Sequence, residues 1–305
     1  MKVLLTGGSG LVGRNLIETR PDKITLLAPQ HNDLNLLNVN QVDTYLRKEK
    51  PDLIIHAAGT VGGIEANIKY PVRFLTENTL MANNLIVTAR ENDIKYVLNL
   101  GSSCMYPRNA TNPLTEEQIL KGELEPTNEG YAIAKIYAQR LCSYINKEEK
   151  NSNYKTLLPC NLYGRWDKFD PQWGHMLPSV IHKIHHAKSN NLPNVTIWGD
   201  GSARREFMYA ADLANFIWHA TAKIDDIPEL MNVGLGFDYS ILEYYQTIAK
   251  VVGYKGEFEF DLSKPSGMKQ KLVDISIQKK LGWTPKYSLE EGIEATYNFY
   301  KQKYF

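Results

Sequence analysis

The sequence has almost no net charge and few cysteines. Its 35 Lys and Arg residues stand against 34 Asp and Glu residues, for a formal charge of +1, which gives no electrostatic reason to expect binding of nucleic acid or of an anionic membrane. The 3 cysteines show no CxxC spacing, so neither a disulfide framework nor a zinc site is expected. These absences favour a protein of the reducing cytoplasm.

Long apolar runs are also absent. No stretch of about 18 apolar residues is present to span a bilayer, and no charged segment with a short apolar run precedes the first predicted strand, so neither membrane insertion nor secretion is expected. Internal repeats and low-complexity linkers are missing too. With 43% hydrophobic residues in 305, the chain can bury one large core or two smaller ones.

Apolar strands alternate with amphipathic helices along most of the chain. This alternation predicts an α/β fold, a Rossmann-type doubly wound parallel sheet with helices on both faces. The predicted strands are residues 2–6, 24–28, 53–57, 96–101, 155–159 and 231–233. From Tyr163 onward, aromatic and proline-rich loops predict a smaller C-terminal α/β substrate lobe. We therefore assign residues 1–162 to the Rossmann domain, with returning segments near 207–235, and residues 163–305 mainly to the lobe.

A glycine-rich turn follows the first predicted strand. Residues 3–13 read VLLTGGSGLVG, with the spacing GxxGxxG, and a helical pattern covers residues 11–18. A strand, a glycine turn and a helix N-terminus would place backbone amides and the positive end of the helix dipole against a pyrophosphate. The predicted cofactor-binding residues of this segment are Gly7, Gly10, Leu11, Val12, Gly13 and Arg14.

The end of the second predicted strand lacks the acidic residue that usually marks NAD preference. Pro29, Gln30 and His31 follow that strand, and the first carboxylate is Asp33. Together with Arg14 just past the glycines, this favours a phosphorylated ribose and therefore NADP. The alternative for Arg14 and His31 is a solvated helix and loop.

Two further motifs combine two chemistries. Residues 101–107 read GSSCMYP and residues 131–135 read YAIAK. Tyr131 lies four residues before Lys135, on the same helix face, so the ammonium would lower the pKa of the phenol and hold it as a proton donor for a carbonyl. The thiol of Cys104 would remove a proton from the carbon beside that carbonyl, which stabilises the enolate. The pattern favours reduction with epimerisation, although Cys104 alone is more typical of a small buried hydrophobe.

These motifs together resemble the GDP-L-fucose synthase family of extended short-chain dehydrogenases/reductases. Ten segments occur in family order over nearly the whole chain: TGGSGLVG, AAGTVGGIEAN, GSSCMYP, LEPTNEGYAIAK, NLYG, GHMLPSVIHKIHHAK, WGDGSARREF, NVG, KPSG and LGW. The resemblance implies a bifunctional enzyme that epimerises GDP-4-keto-6-deoxy-D-mannose at carbons 3 and 5. NADPH then reduces the 4-keto group to give GDP-L-fucose.

The resemblance also implies a role for each catalytic residue. Ser102 would hydrogen-bond the substrate carbonyl, Tyr131 would donate the proton, and Lys135 would orient the nicotinamide ribose. Cys104 would act as the epimerisation base and His175 as the acid on the opposite face. Inversion needs two such groups, because a single base would only exchange the proton on one face.

Binding residues follow from the same resemblance. The cofactor would also contact Ala57, Ala58, Tyr131, Lys135 and Asn161, and the substrate would contact Asn161, Lys183, Trp198, Arg205 and Lys271. No metal is expected, because Tyr131 already serves as the electrophile. His182, His185 and His186 nevertheless have a helical spacing that is compatible with metal binding.

Several positions depart from the family pattern and leave the sugar open. Ser266 stands where an Asp is typical, Arg165 where a Pro is typical, and Lys183 where an Arg is typical; Lys183 keeps the charge but loses the bidentate fork. GDP-L-colitose synthase, which would invert only carbon 5 of the 3-deoxy analogue, and a GDP-heptose reductase remain alternatives. Remoter ones are a nucleotide-sugar dehydratase and a non-catalytic NADP-binding sensor, against which the Ser102, Tyr131 and Lys135 set argues.

A homodimer is the expected assembly. The resemblance implies a four-helix bundle that takes two helices from each subunit, here residues 72–91 and 131–147. Leu80, Leu85, Ile133 and Leu141 are the apolar candidates for that bundle, and each would serve equally as ordinary core.

Overall fold

The secondary structure follows the predicted alternation of strands and helices. The computed structural model describes residues 1–170, 174–263 and 268–305; Ser266 and the KPSG segment therefore lie outside the described residues. The strands are Lys2–Thr6 (β1), Thr25–Leu27 (β2), Leu53–His56 (β3), Tyr96–Leu100 (β4), Asn153–Pro159 (β5), Asn161–Tyr163 (β6), Asn194–Trp198 (β7), Arg204–Arg205 (β8), Phe207–Tyr209 (β9), Leu230–Val233 (β10), Tyr239–Ser240 (β11), Glu257–Asp261 (β12) and Gln270–Lys271 (β13). The helices are Leu11–Glu18 (α1), Val39–Glu49 (α2), Ile64–Lys69 (α3), Pro71–Glu91 (α4), Glu129–Glu148 (α5), Met176–Ser189 (α6), Ala210–Ala222 (α7), Ile241–Val252 (α8), Ser276–Lys280 (α9) and Leu289–Tyr304 (α10).

A six-stranded parallel sheet forms the centre of the N-terminal part, in the order β10-β5-β4-β3-β1-β2. Its central strands are apolar at nearly every position because helices cover both faces. All six predicted strands are present in this sheet, so the prediction of a Rossmann-type doubly wound fold is confirmed. The predicted strand ends at Ala28, Ala57 and Gly101 each extend one residue too far.

The two faces of the sheet have separate cores. Val3 and Leu5 point to the face that α1 and α7 cover, whereas Leu4 between them points to the face that α2, α4 and α5 cover. This alternation follows from the period of two along a strand. The strand ends are thereby held rigidly at one edge of the sheet.

A third core lies in the C-terminal part of the chain. It joins α6, α8 and α10 through buried aromatic side chains such as Tyr163, Phe169 and Tyr300. Three small sheets accompany it: β7 with β12, β6 with β9, and β8 between β11 and β13. The domain boundary at residue 162 stays a prediction. Within the described residues, no helix is both long enough and apolar enough to cross a membrane.

Candidate active site

The glycine turn after β1 is packed too tightly for a side chain at Gly7 or Gly13. Gly7 has a φ of +76°, and a Cβ there would lie 2.6 Å from the backbone nitrogen of Ala58. A Cβ on Gly13 would lie 2.1 Å from the carbonyl oxygen of Gly7. The first turn of α1 is therefore fixed against the ends of β1 and β3, where its leading amides have no acceptor within the helix. This arrangement has the backbone geometry that the predicted pyrophosphate contact requires.

A buried pair of side chains holds the two strand ends beneath this turn. Thr6 Oγ1 lies 2.9 Å from His56 Nδ1 and accepts from the backbone nitrogen of Ala58 at 3.3 Å. Burial, and then the nearby charge of Lys135, lower the pKa of His56 to about 3. The imidazole is therefore neutral, and it fixes the predicted cofactor contacts Ala57 and Ala58 in place.

Ser102 and Cys104 lie in a tight turn just past the end of β4. The Ser102 Oγ accepts from the backbone nitrogen of Cys104 at 3.3 Å, and Cys104 is 6% exposed. Burial raises the pKa of the Cys104 thiol, while Lys271, Ser102 and Lys135 lower it. The thiol is thus a small buried group within the electrostatic range of two cations.

Tyr131 and Lys135 lie one turn apart near the start of α5, as predicted. Lys135 Nζ lies 5.7 Å from the centre of the Tyr131 ring and donates to the carbonyl oxygen of Leu100 at 2.8 Å. Burial lowers the pKa of Lys135 to about 8, and Cys104 opposes that shift. Burial and then Cys104 raise the pKa of Tyr131.

The prediction that Lys135 lowers the pKa of Tyr131 is therefore wrong for this structure. The ammonium is directed at a backbone carbonyl of β4, and the cost of moving a phenolate out of water dominates. Tyr131 is consequently protonated over the whole working pH range. That state is the one a proton donor to a carbonyl needs.

Two cations from the C-terminal part lie beside this group. Arg205 of β8 and Lys271 of β13 are register partners on neighbouring parallel strands, so their side chains leave the sheet on the same face. Burial lowers the pKa of Arg205. It also lowers that of Lys271, where Arg205 adds to the effect and Cys104 opposes it. The two predicted substrate-binding residues are thus placed together and close to Cys104.

His175 belongs to a different part of the structure. It precedes α6 as its N-cap residue, and its side chain is 45% exposed, with Nδ1 3.7 Å from Oδ1 of Asp167. The structure thus groups Ser102, Cys104, Tyr131 and Lys135 with one another, and His175 with Asp167.

The remaining predicted contacts have partners within the protein. Asn161 Nδ2 donates to the carbonyl oxygen of Glu206 at 2.9 Å, and Lys183 Nζ donates to that of Thr196 at 3.0 Å. Trp198 is 52% exposed at the end of β7. Their roles in binding stay predictions.

Arg14 points toward the loop that follows β6. Its guanidinium lies 5.0 Å from the centre of the Trp166 ring, and Trp166 Nε1 donates to Glu18 at 2.7 Å. Arg165 Nη2 donates to the same carboxylate at 2.5 Å. Arg165, one of the departures from the family pattern, therefore ties the loop to α1.

The predicted histidine cluster pairs with tyrosines of α10. His182 Nδ1 lies 2.9 Å from the hydroxyl of Tyr300, and His185 Nδ1 lies 2.9 Å from that of Tyr297. These rings therefore join α6 to α10. The structure gives them a packing role within the third core.

Sequence reasoning missed two buried carboxylates beside the site. Asp167 is 5% exposed and Glu206 is 0% exposed; Glu206 accepts hydrogen bonds from the backbone nitrogens of Leu235, Gly236 and Val273. The charged run RRE at residues 204–206 gives no local signal of burial. Only the tertiary structure shows that Glu206 joins β8, β10 and β13.

Comparisons with known proteins match nearly the whole chain. The model of the NAD dependent epimerase/dehydratase family matches residues 3–234. The chain is 52% identical over 301 residues to a GDP-L-colitose synthase of Yersinia pseudotuberculosis, covering 98% of each protein. It is 49% identical over 300 residues to a GDP-L-fucose synthase of Azorhizobium caulinodans, covering 98% of this chain and 96% of that protein. The solved structure of a GDP-mannoheptose C4 reductase from Campylobacter jejuni with NADP bound has a TM-score of 0.89 at 31% identity, covering 98% of both chains.

Proposed function

The chain belongs to the GDP-L-fucose synthase family of NAD dependent epimerases/dehydratases, and on this premise we propose that it is an NADP-dependent epimerase/reductase of GDP-linked keto-deoxy sugars. The favoured reaction converts GDP-4-keto-6-deoxy-D-mannose to GDP-L-fucose by inversion at carbons 3 and 5 and reduction at carbon 4. The observation that carries the proposal is the grouping of Cys104 with Tyr131, Lys135 and Lys271, because it supports both chemistries at one carbonyl.

The glycine turn after β1 and the residues that follow β3 suit the cofactor. The glycine turn would hold the pyrophosphate, Ala57 and Ala58 would line the adenosine side, and Lys135 would meet the nicotinamide ribose. When bound, NADPH supplies the hydride for carbon 4. The relative from Campylobacter jejuni with NADP bound, the missing carboxylate after β2 and the position of Arg14 all favour NADP over NAD.

Epimerisation comes first in the proposed sequence, because reduction removes the carbonyl that acidifies the neighbouring carbons. The thiolate of Cys104 takes the proton from the carbon, and the electron pair of the broken C–H bond enters the enolate. The Ser102 hydroxyl hydrogen-bonds the enolate oxygen. His175 then gives a proton to the opposite face, the carbonyl re-forms, and exchange with solvent restores the two protonation states.

Reduction uses the same pocket from the other side of the carbonyl. Carbon 4 gains the hydride while its oxygen takes the phenolic proton of Tyr131. The raised pKa of Tyr131 keeps that proton available, and the phenolate that results regains a proton from solvent.

GDP-L-colitose synthase is the second candidate, because the relative of that name shares 52% identity with this chain, against 49% for the GDP-L-fucose synthase of Azorhizobium caulinodans. A colitose synthase would need the same Cys104, His175, Tyr131 and Lys135. The two functions differ in whether carbon 3 of the sugar carries a hydroxyl group. The choice of substrate therefore decides between them.

The deciding experiment is proton NMR of the products formed in deuterated water. We would supply GDP-4-keto-6-deoxy-D-mannose or its 3-deoxy analogue with NADPH, and run NADH in parallel. A fucose synthase yields GDP-L-fucose with deuterium at carbons 3 and 5, whereas a colitose synthase prefers the analogue and places deuterium at carbon 5. No NADPH oxidation with either sugar would refute both functions.

Two cysteine variants make the experiment specific for the site. Cys104→Ser should still reduce the keto sugar but incorporate no deuterium beside the carbonyl. Cys142→Ser, which replaces a buried thiol of α5 in another core, should keep both activities. Deuterium uptake by Cys104→Ser at the unmodified rate would remove Cys104 from the mechanism.

A homodimer in the cytoplasm completes the proposal. Leu80 of α4 is 49% exposed and Ile133 of α5 is 43% exposed, whereas Leu85 is fully buried in the core beneath them. Tyr137 and Tyr144 extend the exposed stripe along α5. An apolar face of this kind on two packed helices supports the four-helix interface. The three cysteines, which are all free, fit a reducing compartment.

A further inference from the structure

Asp167 presents a buried carboxylate with an unused oxygen. It lies in the loop between β6 and α6 and is 5% exposed. Its Oδ1 accepts from the backbone nitrogen of Lys168 at 2.8 Å, while Oδ2 is buried and has no hydrogen-bond partner within the described part of the chain. Buried carboxylate oxygens normally accept a hydrogen bond, so the unpaired Oδ2 of Asp167 calls for an explanation.

The group that faces Asp167 is His175. Nδ1 of the imidazole lies 3.7 Å from Asp167 Oδ1, which is beyond a hydrogen bond. Catalytic contacts are often this long before substrate binds and shorten in the complex. A small rotation of the exposed imidazole would bring Nδ1 within hydrogen-bond distance of the carboxylate.

Gly174, directly before His175, lies against the backbone of Lys168 and Asp170. The backbone nitrogen of Gly174 donates to the carbonyl oxygen of Asp170 at 2.9 Å, and a Cβ on Gly174 would lie 2.5 Å from the carbonyl oxygens of both Asp170 and Lys168. Lys168 and Asp170 are the other charged residues beside Asp167 and His175, and His182 follows further along α6. This close packing of backbone therefore requires glycine directly before His175.

We propose that Asp167 is a positioning residue for His175. It accepts the Nδ1 proton of the imidazole and so fixes Nε2 as the nitrogen that exchanges protons with the sugar. This inference rests on the proposed function, in which His175 protonates the enolate.

The proton balance of the step is simple. The imidazolium gives its Nε2 proton to the enolate carbon, the electron pair of the enolate forms the new C–H bond, and the carbonyl is restored. The neutral imidazole keeps its Nδ1 proton toward the carboxylate. Asp167 is only the acceptor of that proton, the role of a carboxylate that orients a catalytic histidine.

The first test separates epimerisation from reduction. In deuterated water with NADP⁺, which does not reduce the sugar, Asp167→Asn should slow formation of the inverted keto sugar, followed by NMR, on the order of 10 to 100-fold, the usual effect of losing a residue that orients a histidine ligand. The KM for NADPH should stay unchanged. Asp167→Glu should recover part of the lost rate, and Asp170→Asn in the same turn serves as the matched control.

The second test measures which ring nitrogen of His175 carries the proton. Long-range ¹⁵N–¹H correlation spectra of histidine-labelled protein should show the Nδ1–H tautomer for neutral His175 and a shift toward Nε2–H in Asp167→Asn. Comparison with His175→Gln assigns the signal among the 7 histidines. An Nε2–H tautomer in the unmodified protein, or an unchanged rate of inversion in Asp167→Asn, would overturn the inference.

A double variant distinguishes failure of this inference from failure of the proposed function. If Asp167 acts through His175, then Asp167→Asn should lower the rate no further in a His175→Gln background. A larger loss in the double variant would contradict the positioning role. If His175→Gln alone leaves the rate of inversion unchanged, the proposed role of His175 fails, while the tautomer spectra still report on the Asp167–His175 pair.

Discussion

At the scale of single residues, the two half-reactions should respond to pH in opposite directions. Lys135 has its pKa lowered to about 8 by burial, so its charge is present below that pH and is lost above it. Burial raises the pKa of Cys104 above its ordinary 9.0, so its thiolate grows as the pH rises. Reduction should therefore fall above about pH 8, while deuterium incorporation with NADP⁺ should keep rising.

Rates measured between pH 6 and 10 check this prediction. NADPH oxidation reports reduction, and NMR detection of deuterium in the presence of NADP⁺ reports epimerisation. Cys142→Ser provides the control for a general effect of pH on a buried thiol. Parallel pH profiles for the two reactions would contradict the assignment of separate groups.

Glu206 should matter for stability even though it carries no proposed chemistry. Its two oxygens accept from three backbone nitrogens, those of Leu235, Gly236 and Val273. In Glu206→Gln an amide N–H must face at least one of these donors, which should lower the free energy of unfolding by about 1–3 kcal/mol. Urea unfolding measures the loss.

Glu257→Gln is the matched control for Glu206→Gln, because Glu257 lies exposed on β12. Its unfolding midpoint should stay within error of the unmodified protein. Equal midpoints for both variants would show that the three backbone bonds at Glu206 contribute little.

Sequence reasoning identified residues whose chemistry is local and missed those whose role depends on burial. Tyr131 and Lys135 are found from their spacing on one helix, and Cys104 from the turn that contains it. Asp167 and Glu206 look like ordinary surface carboxylates in the sequence. Their burial arises from loops and strands that meet only in the folded chain.

At the scale of elements, substitutions at two glycines of the turn after β1 should affect stability and NADPH binding differently. Gly13→Ala places a Cβ 2.1 Å from the Gly7 carbonyl oxygen, and overpacking of this kind should lower the free energy of unfolding by about 1–3 kcal/mol. Gly10→Ala meets the same oxygen at 3.5 Å, an ordinary contact. It should leave stability nearly unchanged and weaken NADPH binding.

Urea unfolding and NADPH fluorescence titration together check the glycine prediction. The two variants act as controls for each other, since the Cβ at position 13 would overlap the Gly7 carbonyl oxygen and the Cβ at position 10 would lie at an ordinary distance from it. If Gly10→Ala bound NADPH with unchanged affinity, the glycine turn would not be the pyrophosphate site.

Elements of the parallel sheet were predictable because each carries its own pattern. A buried strand is a short apolar run, and α1 begins directly after the glycines, so its bounds agree with the prediction. The pairing of β8 with β13 has no such signal, because the strands have two residues each and are far apart in the chain. That pairing is what brings Lys271 beside Arg205.

At the scale of the whole molecule, the exposed faces of α4 and α5 should form the subunit interface. Leu80→Glu combined with Tyr144→Glu places two charges on this apolar face, and these should be too costly to bury. Light scattering after size exclusion should then report a monomer of 34.7 kDa where the unmodified protein has twice that mass.

Leu262→Glu is the control for the interface, because Leu262 is 74% exposed and lies outside α4 and α5. That variant should remain dimeric. An unmodified protein that is already monomeric at micromolar concentration would refute the proposed homodimer.

The register of β8 with β13 has a consequence for heat resistance. Arg205 and Lys271 hold like charges side by side, and burial disfavours the charge of each. A diphosphate between them would convert this repulsion into attraction, so the nucleotide should act as a counter-ion of the native state. By mass action GDP should raise the melting temperature in proportion to the logarithm of its concentration, whereas guanosine, which lacks the phosphates, should raise it far less.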